Sequence, residues 1–176
     1  RNNEYLKTFV NNDIDKMIKY LKDNQYIDTN CKLLEKGIMA SEISECNEII
    51  LTEIIMSNFF LELSQSEIIA ILSAFIEEKS NDVTKISQLN VSEKIKETLN
   101  NINFIAEDFG NYEYNSYIEI GTDWNLYLSF IGPAYDWANG STISDIYNKY
   151  QNVYEGTFIR NILRVQNMLD NIKNIA

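Results

Sequence analysis

At 176 residues, with 45% hydrophobic and 23% charged residues, the chain can close one sizeable core, and its length favours a single helical domain over residues 1–176. There is no run of about 18 apolar residues, so no membrane span is expected, and the net charge of −11 sets a low prior for nucleic acid as a partner of the surface as a whole. With no histidine, and with Cys31 and Cys46 as the only cysteines, the sequence excludes histidine acid–base chemistry, Ser-His and Cys-His nucleophiles and the common structural zinc sites, and it points to an intracellular compartment.

One proline and six glycines give little punctuation for a many-turned β protein, and the apolar spacing is helical nearly throughout. The sequence therefore predicts an all-α bundle of about seven to eight helices. The first is expected from about Asn3 to Asn24, with Leu6, Phe9, Val10, Met17, Ile18 and Leu21 on one side. After a turn at Tyr26 to Asn30, Leu33 and Leu34 lead into a short helix through Ile38 and Ile43. Asn47 to Leu63 is dense in Ile, Leu and Phe and reads as a helix buried on most sides. Ser64 and Glu67 fit a capping box that starts a helix to about Glu78. Residues 79–89 read as a polar connector, and Asn90 with Glu93 offers a second capping box for a helix to about Phe109. Gly110 to Asp123 reads as an ordered loop. Trp124 to Asn139 resumes helical spacing, with Pro133 expected to kink it and Gly140 to stop it. Thr142 to Tyr150 and Glu155 to Ala176 complete the bundle. The chain opens on Arg1 with no charged-then-apolar leader, and is expected to be part of a longer protein.

Active-site motifs are missing. No phosphate loop, dinucleotide fingerprint, nucleophile elbow or HExxH occurs, so no catalytic residue, metal ligand or cofactor is assigned within the chain. The carboxylate pairs Glu77-Glu78 and Glu107-Asp108 read as solvated helix faces. Tyr112, Tyr114, Tyr117, Trp124, Tyr127, Tyr135 and Trp137 cluster without a basic neighbour, which favours core and loop anchoring over base stacking. Charge is unevenly placed: residues 37–78 and 97–148 each carry eight acids and no Lys or Arg, so residues 1–36, 79–96 and 149–176 hold the positive balance and the C-terminal segment stays in play for an anion.

In the last helix, Phe158, Ile162, Val165, Leu169 and Ile172 step by four and three and form the expected buried stripe. Arg160, Arg164, Asn167, Asn171 and Asn174 step by the same intervals on roughly the opposite side, and no acid interrupts them. Guanidinium forks and amides in such a row can track phosphates or base edges, whereas Lys-Glu alternation would only solvate the helix. The residues also allow a plain solvent face, since asparagine is abundant throughout the chain.

Several ordered segments resemble a known family. Lys36-Gly37-Ile38-Met39-Ala40-Ser41-Glu42-Ile43-Ser44 resembles the KGRxAxEIS segment of the C-terminal DSHCT domain of superkiller-type and exosome-associated DExH-box RNA helicases. Glu48 to Glu53 is similar to that family's ELLLTE, and Leu63 to Lys79 to its L(S/T)PEQxxALLSxFVxEEK. Tyr135 to Gly140 resembles YxWxxG, and Val153 to Arg160 resembles VFEGSxIR followed by an RRLEEL-type helix, so the resemblance covers about Ile14 to Ala176.

The resemblance implies a helical bundle at the end of an ATP-dependent RNA helicase with 3'-to-5' unwinding, acting in RNA processing or decay. Its ATP, Mg and hydrolysis would belong to motor domains outside this chain, and the chain alone should carry no ATPase activity. The family's ratchet helix, which lies along the single strand of RNA, falls here on Arg164 and Asn167. The sequence departs from the family at Asn167, where Glu is usual, and at Leu163 and Gln166, where Arg or Lys and Glu are common. Expected partners are single-stranded RNA, the motor domains and RNA-decay complex proteins, in the cytoplasm or the nucleus. Two alternatives stay open: a helical protein-interaction module whose acidic surface from Gly37 to Glu78 meets a basic partner, and the equivalent bundle of a DNA helicase.

Overall fold

The computed structural model describes residues 2–77, 85–118, 122–150 and 153–175, with side chains from Val10 onward. Eight α-helices are present among them: α1 (Asn2–Asp23), α2 (Glu35–Ser41), α3 (Glu48–Met56), α4 (Gln65–Ser73), α5 (Glu93–Asn115), α6 (Ile131–Ala138), α7 (Ile143–Lys149) and α8 (Glu155–Ile175). A 3-10 turn at Ile86–Gln88 leads into α5, and the described residues contain no strand beyond one antiparallel bridge between Ile27 and Leu33. The all-α class holds.

The core is built on α4 and the residues just after it. Ala70, Ile71, Leu72, Ser73, Ala74, Phe75 and Ile76 are all buried, so this helix is hydrophobic on every side and must be covered from every side. Helix α6 covers it most extensively, and α5 and α8 complete the packing. Ile50, Leu51 and Ile54 of α3 and Ile95, Leu99 and Ile102 of α5 join the same cluster. Of the α1 stripe, Met17, Ile18 and Leu21 are half-buried and Val10 is exposed, while Leu6 and Phe9 lie outside the described side chains.

Caps explain most boundaries. Ser64 accepts from Glu67 N while the Glu67 carboxylate accepts from Ser64 N at 2.8 Å, the expected capping box. The second box is corrected: Ser92, not Asn90, caps α5 by accepting from Ile95 N at 3.3 Å. The selection is tertiary, because Ser92 Oγ also donates to Glu67 Oε1 at 2.7 Å, which fastens the starts of α4 and α5 to one carboxylate.

The C-terminal ends differ more from expectation, for one reason. Helices α1, α3, α5 and α6 all stop in the same paired motif, in which a left-handed residue two past the helix end donates back three positions and the residue after it donates back five. That residue is Gln25, Asn58, Tyr117 and Gly140, with φ of 63°, 59°, 52° and 99°, and only the last is glycine. Asn58 therefore ends α3 at Met56, short of the expected Leu63. Helix α5 runs through Gly110 to Asn115, past the expected stop at Phe109: Gly110 keeps a helical backbone, and a Cβ there would stand in ordinary contact, 3.6 Å, with the Trp124 ring. Helix α4 ends at Ser73, earlier than expected, and Glu78 lies outside the described residues.

The expected kinked helix from Trp124 to Asn139 is not formed. Residues 122–128 are non-helical: Tyr127 N donates to Ala74 O at 2.8 Å and Asn47 Nδ2 to Asp123 O at 2.9 Å, so the backbone is satisfied by α4 and α3 instead of by itself. Helix α6 begins at Ile131, and Pro133 falls in its first turn, where the missing N–H has no intrahelical partner to lose.

Gly37 fixes how α2 enters. A Cβ there would lie 2.1 Å from the Tyr26 carbonyl oxygen and 2.9 Å from Leu33 Cδ2. Beside it, Lys36 pairs with Glu53 on α3, stands 5.0 Å from the centre of the Tyr26 ring, and donates to Asn24 O at 3.2 Å, while Tyr26 OH donates to Glu53 Oε1 at 2.9 Å. Burial first and Glu53 second push the Tyr26 hydroxyl well above the usual phenol range, so it remains a donor to that carboxylate.

Two outcomes follow from these contacts. Gly37→Ala forces backbone away from backbone and is expected to cost about 2 to 3 kcal/mol in a urea titration, whereas Gly156→Ala, with nothing within 4 Å of its Cβ, should change stability by less than about 1 kcal/mol; equal effects would refute the close contact. Hydrogen bonds from Ser64 N, then from Ser92, hold the Glu67 carboxyl below its ordinary value. Its folded pKa being depressed, its stabilisation is present above the unfolded value of about 4.3 and is lost as pH falls through the folded one. Glu67→Gln should thus flatten the loss of stability below about pH 4.3, measured by thermal melts across pH; an unchanged acid limb would count against the shared cap.

Candidate nucleic-acid interface

Helix α8 carries Glu155 in its first turn and Lys173 in its last, the charge order that favours its dipole. Phe158, Asn161, Val165 and Met168 are its buried residues, flanked by the partly buried Ile162, Leu169, Ile172 and Ile175. The Phe158 ring sits edge-on to Phe130 at 5.6 Å, to Tyr147 at 6.4 Å and to Trp137 at 6.5 Å. The expected apolar stripe is thus present but turned: Phe158 and Val165 are central, Ile162, Leu169 and Ile172 lie on the flank, and Asn161 and Met168 take central positions the apolar spacing had not given them. Asn161 is 2% exposed, and its Nδ2 finds no hydrogen-bond partner among the described residues.

This turn carries part of the polar row toward the protein. Arg160 is exposed and makes no ion pair among the described residues. Arg164 is half-buried: its Nη2 donates to the Glu45 carbonyl at 3.3 Å, and its Nε stands 3.9 Å from Glu45 Oε2. Asn167, exposed, donates from Nδ2 to Glu45 Oε1 at 3.3 Å. Asn171 Oδ1 accepts from Ser44 N at 3.4 Å. Three of the four assigned residues are therefore brought against the loop between α2 and α3, and Arg160 stands apart from it. The Arg164–Glu45 pair is about one-third exposed on both side chains, so it is a weak tie worth about 0 to 1 kcal/mol. Asp136 accepts from Lys149 Nζ at 2.6 Å and from Tyr150 OH at 2.8 Å.

Ser44 and Glu45 were absent from the assigned set because the contact joins residues 119 positions apart, which no local pattern reveals. The solvent side of α8 also presents Ile159 and Leu163, 46% and 54% exposed, so an incoming strand meets aliphatic surface beside the donors.

Elsewhere the chemistry is sparse. Burial pushes the Cys46 thiol up to about 12, which leaves it no thiolate to react with. Glu107 and Asp108 lie exposed on α5, with Glu107 accepting from Asn103, as a solvated face should. No cluster of three metal-ligating side chains, and no helix long and apolar enough to cross a membrane, occurs among the described residues. Of the aromatic cluster, Trp124 stacks on Phe109 at 5.6 Å and Tyr112 leans on Tyr20 at 5.0 Å, as anchors. Tyr114 and Tyr117 differ, being 81% and 85% exposed.

A comparison with protein families matches residues 30–176 to the DSHCT (NUC185) domain. The chain belongs to the DSHCT family. Among curated relatives, this DSHCT chain is 31% identical over 140 residues to the Exosome RNA helicase MTR4 of Homo sapiens, covering 76% of the chain and 13% of that protein. It is 27% identical over 163 residues to the DExH-box ATP-dependent RNA helicase DExH11 of Arabidopsis thaliana, covering 90% of the chain and 12% of that protein. Over 66 residues it is 42% identical to the Antiviral helicase SKI2 of Saccharomyces cerevisiae, 38% of the chain and 5% of that protein. The DSHCT chain thus spans only about an eighth or less of the length of these relatives.

The turned face of α8 makes a quantitative distinction. Met168→Ala empties a fully buried site and is expected to cost about 2 to 5 kcal/mol, more than Leu169→Ala on the flank. Chemical denaturation of both variants checks the order, and the reverse order would restore the stripe centred on Leu169.

Proposed function

We propose that this chain is the RNA-guiding accessory domain of an ATP-dependent RNA helicase, with α8 lying along the single strand. The observation that carries the reading is the row on α8: Arg160, Asn167 and Asn174 are exposed and Arg164 is half-exposed, with the exposed Asp170 one turn from Asn167 and Asn174. The names of two of the relatives, Exosome RNA helicase MTR4 and DExH-box ATP-dependent RNA helicase DExH11, support RNA over DNA as the strand. The chemistry of a guide also suits what the chain contains. Guiding needs donors held on a rigid helix and no nucleophile, while ATP, Mg and the hydrolytic step belong to motor domains of the parent helicase, which together with RNA-decay proteins are the proposed partners. The protein-interaction alternative loses ground, because Glu45, Glu53 and Glu67 of the acidic segment are engaged by Arg164, Lys36 and the caps of α4 and α5.

Two arginines neutralise few phosphates, so single-stranded RNA should bind weakly, with a salt slope no steeper than about −1.5 at roughly −0.7 per phosphate. Removing Arg160 and Arg164 together should abolish that slope, yet shift stability by no more than about 1 kcal/mol. In the parent helicase the same pair should depress unwinding more than ATP hydrolysis. Unwinding and RNA crosslinking that survive both substitutions would move the guiding role off α8.

A further inference from the structure

The contact between α8 and the loop between α2 and α3 places an acid on the donors that the row offers. Glu45 Oε1 accepts from Asn167 Nδ2 at 3.3 Å, Oε2 lies 3.9 Å from Arg164 Nε, and both side chains of the ion pair remain about one-third exposed. A carboxylate meets a guanidinium and an amide with the same planar acceptor geometry that a phosphate uses. These distances exceed the roughly 2.7–2.9 Å of a well-formed charge-assisted bond. The acid is therefore close enough to occupy the donors and too loosely held to keep them.

The loop does not depend on this side chain for its place. Ile43 is buried, Ser44 N is held by Asn171, and Asn47 caps α3 by accepting from Ile50 N at 3.0 Å. The Arg164 bond to the Glu45 carbonyl is likewise independent of the carboxylate. Arg160, lower on the same row, meets no acid among the described residues.

We propose that the Glu45 carboxylate is a resident competitor for the RNA backbone: it holds Arg164 and Asn167 until a phosphate of the strand displaces it, and so lowers both the affinity and the salt sensitivity of α8. This rests on the reading of α8 as the RNA-guiding helix. Displacement frees Glu45 into water, where it gathers a cation, and that uptake offsets part of the cation release from RNA that drives binding.

The test is fluorescence anisotropy of a labelled single-stranded RNA dodecamer with the 176-residue chain over a series of salt concentrations. Glu45→Gln keeps the shape and removes the charge; it should bind about two- to fivefold tighter at low salt and steepen the salt slope by up to about 0.7. The gain should vanish when Arg164→Ala is added, and Glu42→Gln, the same charge change on a neighbouring exposed acid, should give less. Thermal melts establish that each variant is folded, and Glu45→Ser repeats the test if Glu45→Gln is not. Unchanged or weaker binding by Glu45→Gln, with Arg164→Ala still harmful, would make Glu45 an orienting residue and overturn the competitor while leaving the guiding role intact. An equal gain from Glu42→Gln, or a gain that persists without Arg164, overturns it in favour of general charge. If no variant binds RNA, or if Arg160→Ala and Arg164→Ala are both silent, the guiding role itself falls and the competitor with it.

Discussion

The structure depends on one segment, at the end of α4, that has no solvent face. From Ala70 to Ile76 every side chain is buried, so α4 cannot exist without α5, α6 and α8 around it. A short helix of nine residues is marginal alone, and its stability comes from this enclosure. The consequence reaches the surface. Because α8 packs against α4 and buries Phe158, Val165 and Met168 in the core, its rotation about its own axis is fixed by core packing, and that rotation decides which polar side chains look outward.

Registration among the helices is polar as well as apolar. Glu67 serves its own capping box and the cap of α5, so a single carboxylate aligns two helix starts. Gly37 lets α2 approach the Tyr26 backbone, and the Lys36–Glu53–Tyr26 group ties α2 to α3. Those contacts tie together the two helices that flank the loop whose Ser44 and Glu45 meet Asn171, Arg164 and Asn167. The surface proposed to meet RNA is thus built from two parts of the chain, one supplying donors and the other an acid in competition with the strand.

The reactive groups described serve the fold: the half-buried Cys46 thiol has a raised pKa, Glu45, Glu53 and Glu67 are held in ion pairs and caps, and Glu107 and Asp108 lie exposed on α5. The two acid-only stretches, residues 37–78 and 97–148, disfavour adhesion of nucleic acid to the surface they form.

The sequence by itself determined the all-α class, the helix starts at Ser64, Thr142 and Glu155, the stop at Gly140, and the presence of a two-faced last helix, because capping chemistry and helical periodicity are local and act within a few residues. It also carried the family segments around Gly37 and Tyr135. Only the tertiary structure decided the rest. Gln25, Asn58 and Tyr117 stop helices in a left-handed conformation that no composition rule assigns to Gln or Tyr, since the cost is offset by packing on either side. Residues 122–128 give up helix for hydrogen bonds to Ala74 and Asn47, and Ser92 displaces Asn90 as a cap because Glu67 lies within reach. At the site, periodicity placed the polar row to within a small rotation, but burial of Asn161 and Met168 and the approach of Glu45 to Arg164 depend on neighbours distant in sequence, and distance in sequence is what a local pattern cannot convey.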